Sequence, residues 1–97
     1  MKHEIILSPQ VRAQFHGLSA YDRVKVRDTI DRHLQHRPTA ESKSRIKRLR
    51  DLRKPQYRLR ADDLRVFYDV EEYTVIVHGI VDKQHAAQWL AGKGEPS

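Results

Sequence analysis

Apolar residues in the first part of the chain are spaced as in one strand followed by two helices. Residues 3–7 form a short apolar run that stops at Ser8-Pro9, where a serine can cap a helix and a proline fits the first helical position. A short helix is predicted next, because apolar side chains recur at positions 11, 15 and 18. A second helix is predicted over about 20–36, since its apolar residues share one face and Pro38 ends it.

The rest of the chain favours strands, because its apolar segments are short and rich in β-branched and aromatic residues. The predicted strands are 46–52, 57–60, 64–70 and 74–81, and a last helix over 83–91 is capped by Asp82 and ended by Gly92. The order β-α-α-β-β-β-β-α predicts an α+β fold, with two N-terminal helices packed on one face of an antiparallel sheet. Residues 1–92 are predicted to form a single domain, and residues 93–97 a disordered tail.

Two of these strands are predicted to form a hairpin that brings three arginines together. With a two-residue turn at 62–63, Arg60 lies opposite Arg65 and Arg58 lies opposite Phe67. Directly opposed like charges cost up to about 1 kcal/mol, so stability alone would not favour this pairing. Three guanidinium groups beside an aromatic ring suit a phosphate and a stacked base. A basic face that is merely solvated is the alternative.

Positive charge is concentrated in one part of the sequence. The 97 residues carry a formal net charge of +6, with a pI near 9.9, which favours an anionic partner such as nucleic acid or an acidic protein. Residues 43–60 contain nine Lys or Arg against one acidic residue. There is no cysteine, which excludes disulfides and thiolate metal sites. The apolar runs are too short for a membrane span or a signal peptide, so a cytoplasmic protein is expected.

Three histidines and a tryptophan are further candidates. His33 and His36 lie one helical turn apart, a spacing that could hold a metal, but no third ligand stands near them and a surface pair is favoured. His78 is interpreted as a packed histidine at the edge of the site, on one side of its strand with the neighbouring isoleucines. Trp89 is interpreted as a packing residue, with base stacking as the alternative.

The chain resembles the RelE/ParE toxins of bacterial type II toxin–antitoxin systems over nearly its whole length. The likeness rests on the opening strand that ends in Ser-Pro, on the two helices, and on the segments Lys47-Arg48-Leu49, Tyr57-Arg58-Leu59-Arg60 and Leu64-Arg65-Val66-Phe67-Tyr68. For RelE-like members it implies a ribosome-dependent endoribonuclease that cuts mRNA in the ribosomal A site and so inhibits translation. The 2′-hydroxyl attacks the adjacent phosphate, and no metal or other cofactor is needed.

The resemblance also implies roles for single residues. Arg65 would stabilise the transition state, and Arg58 and Arg60 would bind phosphate and help with proton transfer. Lys83 stands where RelE-like toxins usually carry an arginine. The residues expected to bind RNA, including ribosomal RNA, are Lys43, Arg45, Lys47, Arg48, Arg50, Arg53 and Phe67.

One departure from the family bears on the chemistry. Trp89 stands where many active members have a tyrosine, which removes a hydroxyl that could move a proton. Arginine exchanges protons poorly because its pKa exceeds about 12. His85, one helical turn from Trp89, is therefore the best remaining candidate for a general acid or base, although a plain surface histidine is the favoured interpretation.

Three functions stay open at this point. They are an mRNA-cleaving toxin, a ParE-like toxin that poisons DNA gyrase by protein contact, and a non-catalytic relic that still binds an antitoxin. The expected partner in each case is a small antitoxin with an acidic, helical segment. Promoter DNA would be bound only through the toxin–antitoxin complex, and no membrane partner is expected.

Overall fold

The two N-terminal helices begin where the sequence places a capping serine. The computed structural model describes residues 2–96. Helix α1 spans Pro9–His16, and the Ser8 hydroxyl accepts a hydrogen bond from the Val11 amide at 3.1 Å. Helix α2 spans Ala20–Leu34 and is capped in the same way by Ser19. Helix α3 spans Ala86–Lys93. Side-chain caps of this kind satisfy amides that have no partner within the helix.

Five of the seven strands form one sheet. The strands are β1 Glu4–Leu7, β2 Ile46–Arg48, β3 Leu52–Lys54, β4 Tyr57–Ala61, β5 Leu64–Glu71, β6 Thr74–Asp82 and β7 Glu95–Pro96. The large sheet has the order β1-β6-β5-β4-β2, and β3 pairs with β7 in a small second sheet. All neighbours in the large sheet are antiparallel except β1, which runs parallel to β6. The predicted α+β fold is confirmed, but β1 pairs in parallel, so the large sheet is not purely antiparallel as predicted, and β3 and β7 extend the predicted order.

Three boundaries differ from the sequence prediction. The strand predicted over 46–52 is divided into β2 and β3, because the chain turns and the Leu52 amide donates to the Leu49 carbonyl. The last helix starts later than predicted and continues through Gly92. In place of the predicted disordered tail, Lys93 ends α3 and β7 pairs with β3. Residue 97 lies outside the described part of the chain.

The core lies between the two N-terminal helices and one face of the large sheet. Helix α1 contributes Val11, and α2 contributes its predicted stripe of Val26, Ile30 and Leu34. The sheet contributes alternate residues of its strands, as expected when one face is buried: Ile46, Leu59, Ala61, Leu64, Val66, Tyr68, Val75, Val77 and Ile80. In residues 2–96, no helix is both long and apolar enough to cross a membrane.

Candidate nucleic-acid interface

The β4–β5 hairpin has the predicted register. Arg60 lies opposite Arg65, Arg58 lies opposite Phe67, and Tyr57 lies opposite Tyr68. Because Tyr57 and Tyr68 turn toward the core, where their rings stack 5.5 Å apart, the arginines turn to the other side of the sheet. We call this side the arginine face and the three residues Arg58, Arg60 and Arg65 the arginine cluster.

The hairpin turn fixes the position of Arg65. Asp62 adopts a positive φ of 59°, a left-handed conformation that aspartate tolerates better than most residues. The Arg65 guanidinium donates to the carbonyl oxygens of Asp62 and Leu64, each at 3.0 Å. Both bonds use Nη1, so the other nitrogens of the guanidinium keep donors for a ligand.

Arg58 is the most enclosed member of the arginine cluster. Burial, and then the charges of Arg65 and Arg60, lower the pKa of Arg58. Its Nε is buried and has no hydrogen-bond partner among the described residues. The ion pairs found in residues 2–96 include no member of the arginine cluster. A partly desolvated set of like charges with an unpaired donor is an electrostatic environment suited to an anion.

The rest of the basic segment is dispersed over several surfaces. Lys47 of β2 lies opposite Arg58 and so extends the arginine face. Arg50 pairs with Glu41 at 3.0 Å, and Arg53 pairs with Glu95. The other predicted RNA ligands are exposed or bound to the backbone: Lys43 is exposed, Arg45 donates to the Arg60 carbonyl, and Arg48 donates to the Gln56 carbonyl. The cations that are clustered in the sequence therefore do not form one continuous surface in the fold.

Phe67 is on the arginine face as predicted, but it is not available to a base. It is 0% exposed, because Trp89 of α3 stacks on it with ring centroids 4.8 Å apart and planes 6° apart. Trp89 also covers Gly79, where an added Cβ would lie 2.4 Å from the indole ring. The prediction of Phe67 as an RNA-stacking residue thus does not fit this structure, since α3 packs over it. Trp89 is half-buried and has the packing role that the sequence favoured.

Lys83 and His85 lie at the end of β6 and the start of α3. The Lys83 ammonium is 3.4 Å from a carboxylate oxygen of Asp63, beside the hairpin turn. Nδ1 of His85 lies 2.6 Å from a carboxylate oxygen of Asp82, and the His85 side chain is 63% exposed. That contact, more than any other, lowers the pKa of Asp82. Lys83 is thus next to the arginine cluster, whereas His85 is largely in solvent.

A buried carboxylate on the arginine face was not predicted. Asp69 lies two positions beyond Phe67 on β5 and is 1% exposed. One of its oxygens accepts a hydrogen bond from the backbone amide of Gln56 at 2.7 Å, and the other lies 2.9 Å from Nε2 of His78. The sequence missed this group because aspartate in a strand next to a turn is typical of the surface. The signal available was an acidic residue on the same side of β5 as Arg65 and Phe67, in a strand otherwise rich in apolar side chains.

His78 reaches Asp69 because β6 contains a bulge. The pairing passes from Phe67 with Gly79 to Tyr68 with Val77, so His78 has no partner in the register. Ile80 belongs to the core, whereas His78 points to the other side of the sheet, toward Asp69. The sequence prediction had placed both side chains on one side of the strand, because it assumed simple alternation.

Candidate metal ligands are sparse. His33 and His36 line a groove beside α2, and burial, followed by Arg45 and Arg32, lowers the pKa of His33. Among residues 2–96, no three His, Cys, Asp or Glu side chains are grouped so as to hold a metal ion.

Comparison with known proteins addresses the fold. No family model matches the chain, and no curated protein gives a significant match. A chain in the crystal structure of the archaeal RelE–RelB complex from Pyrococcus horikoshii OT3 is similar, with a TM-score of 0.61 and 19% sequence identity. The match covers 86% of this chain and 97% of that chain. The chain therefore has a RelE-like toxin fold.

Proposed function

We propose that the chain is the toxin of a type II toxin–antitoxin pair, acting in the cytoplasm as a ribosome-dependent endoribonuclease on mRNA. The observation that carries the proposal is the arginine cluster: within residues 2–96 its three guanidinium groups have no carboxylate partner, and one of them has a buried donor without a hydrogen bond. Attack of a ribose 2′-hydroxyl on a phosphate adds negative charge to the phosphate oxygens. Fixed cationic donors stabilise that charge, so no metal is required.

The residues of the proposed site have separate roles. Arg65, held by two backbone carbonyls, stabilises the pentacoordinate phosphate, and Arg58 and Arg60 bind the scissile or adjacent phosphate. Lys83 adds positive charge at the hairpin turn, and Lys47 extends the track for the RNA backbone. The remaining exposed cations of the basic segment contact ribosomal RNA through salt-sensitive phosphate contacts.

The proposed protein partner is an antitoxin with an acidic, helical segment. Such a segment would neutralise the arginine cluster and keep RNA away from it. The similar archaeal chain was solved in a complex of RelE with RelB, which supports a partner of this kind. Promoter DNA would be contacted only through the antitoxin.

The test is a reconstituted translation reaction in which mRNA ends are mapped. Wild-type protein is expected to give ribosome-dependent cuts that leave a 2′,3′-cyclic phosphate and a 5′-hydroxyl. Arg65→Ala is expected to cut roughly 10²–10³-fold more slowly, the loss typical when one donor to a developing oxyanion is removed. Arg27→Ala, an exposed arginine of α2 on the other side of the sheet, is the matched control and is expected to cut normally.

Two results would contradict the proposal. Equal cutting by Arg65→Ala and by wild type would show that the arginine cluster takes no part in RNA cleavage. Intact mRNA together with inhibited supercoiling by DNA gyrase would favour the ParE-like alternative.

A further inference from the structure

The buried Asp69 holds His78 in a defined orientation at the edge of the arginine face. The position of the carboxylate is fixed independently of the histidine, because the backbone amide of Gln56 donates a hydrogen bond to one of its oxygens at 2.7 Å. The side chain of Gln56 in turn accepts the Val70 amide, which ties β5 to the segment before β4. The other oxygen faces Nε2 of His78 at 2.9 Å. A carboxylate on one ring nitrogen selects the tautomer with its proton on that nitrogen.

A cationic side chain also lies beside the Asp69 carboxylate. The Lys54 ammonium lies 3.9 Å from the same carboxylate oxygen and supplies a positive charge. A neutral His78 that donates from Nε2 leaves Nδ1 with a lone pair, which is the state required to accept a proton.

His78 also borders space that a ligand can enter. Its side chain is 33% exposed and lines a cavity of 160 Å³ together with Lys54, Pro55, Trp89, Lys93 and Glu95. Two lysines against one glutamate give this wall a net positive charge, which favours an anion, and the indole of Trp89 offers a surface against which a base can rest. The cavity is therefore large enough for a phosphate or a single base of an RNA strand.

The bulge of β6 brings this cavity next to the arginine cluster. Arg58, Phe67 and Gly79 are successive partners across three strands, and His78 precedes Gly79. Two interstrand spacings correspond to about 10 Å between the backbones of Arg58 and His78. Trp89 covers Phe67 and Gly79 between them, so a ribose–phosphate unit would reach from Arg58 to His78 along the edge of the indole.

We infer that His78 is the general base of the proposed RNA cleavage and that Asp69 is its positioning residue. Nδ1 of His78 removes the proton of the 2′-hydroxyl as the 2′-oxygen bonds to phosphorus. The bond from phosphorus to the 5′-oxygen breaks, and that oxygen takes a proton from water. The products are a 2′,3′-cyclic phosphate and a 5′-hydroxyl, and His78 returns its proton to solvent. The inference rests on the proposed function and replaces His85 in the role of base.

The experiment measures single-turnover cleavage of ribosome-bound mRNA and, separately, binding of the protein to the same complex. His78→Ala and His78→Gln are expected to cut about 10²–10⁴-fold more slowly, as for loss of a general base, while binding changes little. Imidazole added to His78→Ala is expected to restore at least part of the rate, because the deleted ring leaves a space beside Asp69. Asp69→Asn is expected to lower the cleavage rate without lowering binding, and imidazole is expected not to rescue it.

His36→Gln, an exposed histidine on the segment after α2, is the matched control and is expected to cut as the wild type does. His78→Gln guards against misfolding, because its amide can still donate to Asp69 but cannot carry the proton. Normal cutting by a folded His78→Gln variant would overturn the inference and leave the proposed function intact. A rate lost in His85→Ala but kept in His78→Ala would do the same. Failure of the wild-type protein to cut mRNA would contradict both the inference about His78 and the proposed function.

Discussion

Tyr68 carries a hydroxyl group into the core. Its Oη donates to the Pro38 carbonyl at 2.6 Å, and burial raises the pKa of the Tyr68 phenol. This bond connects the centre of β5 to the loop that follows α2. A buried carbonyl that loses its donor costs about 1–3 kcal/mol, so the hydroxyl matters for stability although it is far from the arginine cluster.

Tyr68→Phe is accordingly expected to lower the free energy of unfolding by about 1–3 kcal/mol. Urea denaturation followed by circular dichroism measures this difference. Tyr73→Phe, which removes the hydroxyl of a residue that is 55% exposed, is the control and is expected to change stability little. Equal stability of the two variants would show that the bond to Pro38 contributes nothing.

Asp82 is a second residue whose side chain has a defined partner. The hydrogen bond with the His85 side chain lowers the pKa of Asp82, and its carboxylate also accepts the His85 amide at 3.0 Å. A carboxyl whose pKa is lower in the folded than in the unfolded state stabilises the fold above its unfolded pKa. That contribution is lost as the pH falls through the folded pKa. The start of α3 should therefore loosen in acid.

His85→Gln is expected to move the pKa of Asp82 upward, toward its usual range. An NMR titration of the Asp82 carboxyl carbon measures this directly. In His36→Gln, which leaves the contact in place, the titration midpoint is expected to match the wild type. An unchanged midpoint in His85→Gln would mean that the side-chain hydrogen bond is not formed in solution.

At the scale of elements, α3 is attached to the sheet through one aromatic contact. None of its residues is fully buried, yet Trp89 lies flat on Phe67 and over Gly79. Any side chain at position 79 would occupy the space of the indole. The glycine is thus what allows α3 to cover this part of the arginine face.

Gly79→Ala is expected to displace Trp89 and to destabilise the protein by about 1–3 kcal/mol, as overpacking does. Trp89 is the one tryptophan of the chain, so its emission should shift to the red as the ring enters water. Gly92→Ala, where an added Cβ meets nothing within 4 Å, is the control. It is expected to keep the emission and to stabilise α3 by about 0.5–1 kcal/mol. Unshifted emission in Gly79→Ala would contradict the tight contact.

The elements also show what the sequence could and could not predict. The hairpin register followed from the two-residue turn at 62–63 together with alternation, because a slip of one residue would have buried arginines. The burial of Phe67 could not be predicted in this way. It depends on the contact with Trp89 of α3, which is distant in the sequence. His78 was misplaced because a bulge reverses alternation and leaves no mark in a run of β-branched residues. Glu95 and Pro96 were not predicted as a strand, because two residues show no alternation and both residue types are depleted in strands.

At the scale of the whole molecule, the two sides of the large sheet differ in chemistry. Helices α1 and α2 cover one side, and the other carries the arginine cluster, Lys47 and the Asp69–His78 pair. Several other cations are already paired, as Arg50 and Arg53 are with glutamates. Salt-sensitive RNA binding should therefore depend on a few residues and not on net charge.

Combined replacement of Lys47 and Arg60 by glutamine is expected to reduce the salt dependence of RNA binding. For single strands, the slope of log K against log salt is about −0.7 for each phosphate neutralised, so losing two contacts should reduce its magnitude by about 1.4. Fluorescence anisotropy with a labelled RNA oligonucleotide over a salt series measures the slope. The control is the double variant Arg12→Gln and Arg27→Gln on the helical side, which removes the same charge. Its slope is expected to stay near that of the wild type. Equal slopes for the two double variants would point to a diffuse charge effect.

The parallel pairing of β1 with β6 has a consequence for synthesis of the chain. Glu4 pairs with Thr74 and Leu7 with Val77, so the first strand cannot find its place until residues far along the chain have left the ribosome. Contacts between such distant positions form late, because closing a long loop costs entropy before any contact repays it. The arginine cluster needs β4 and β5, and the covering of its neighbour Phe67 needs α3. In a chain that folds in this order, the arginine face with Phe67 covered would be complete only after α3 has been synthesised.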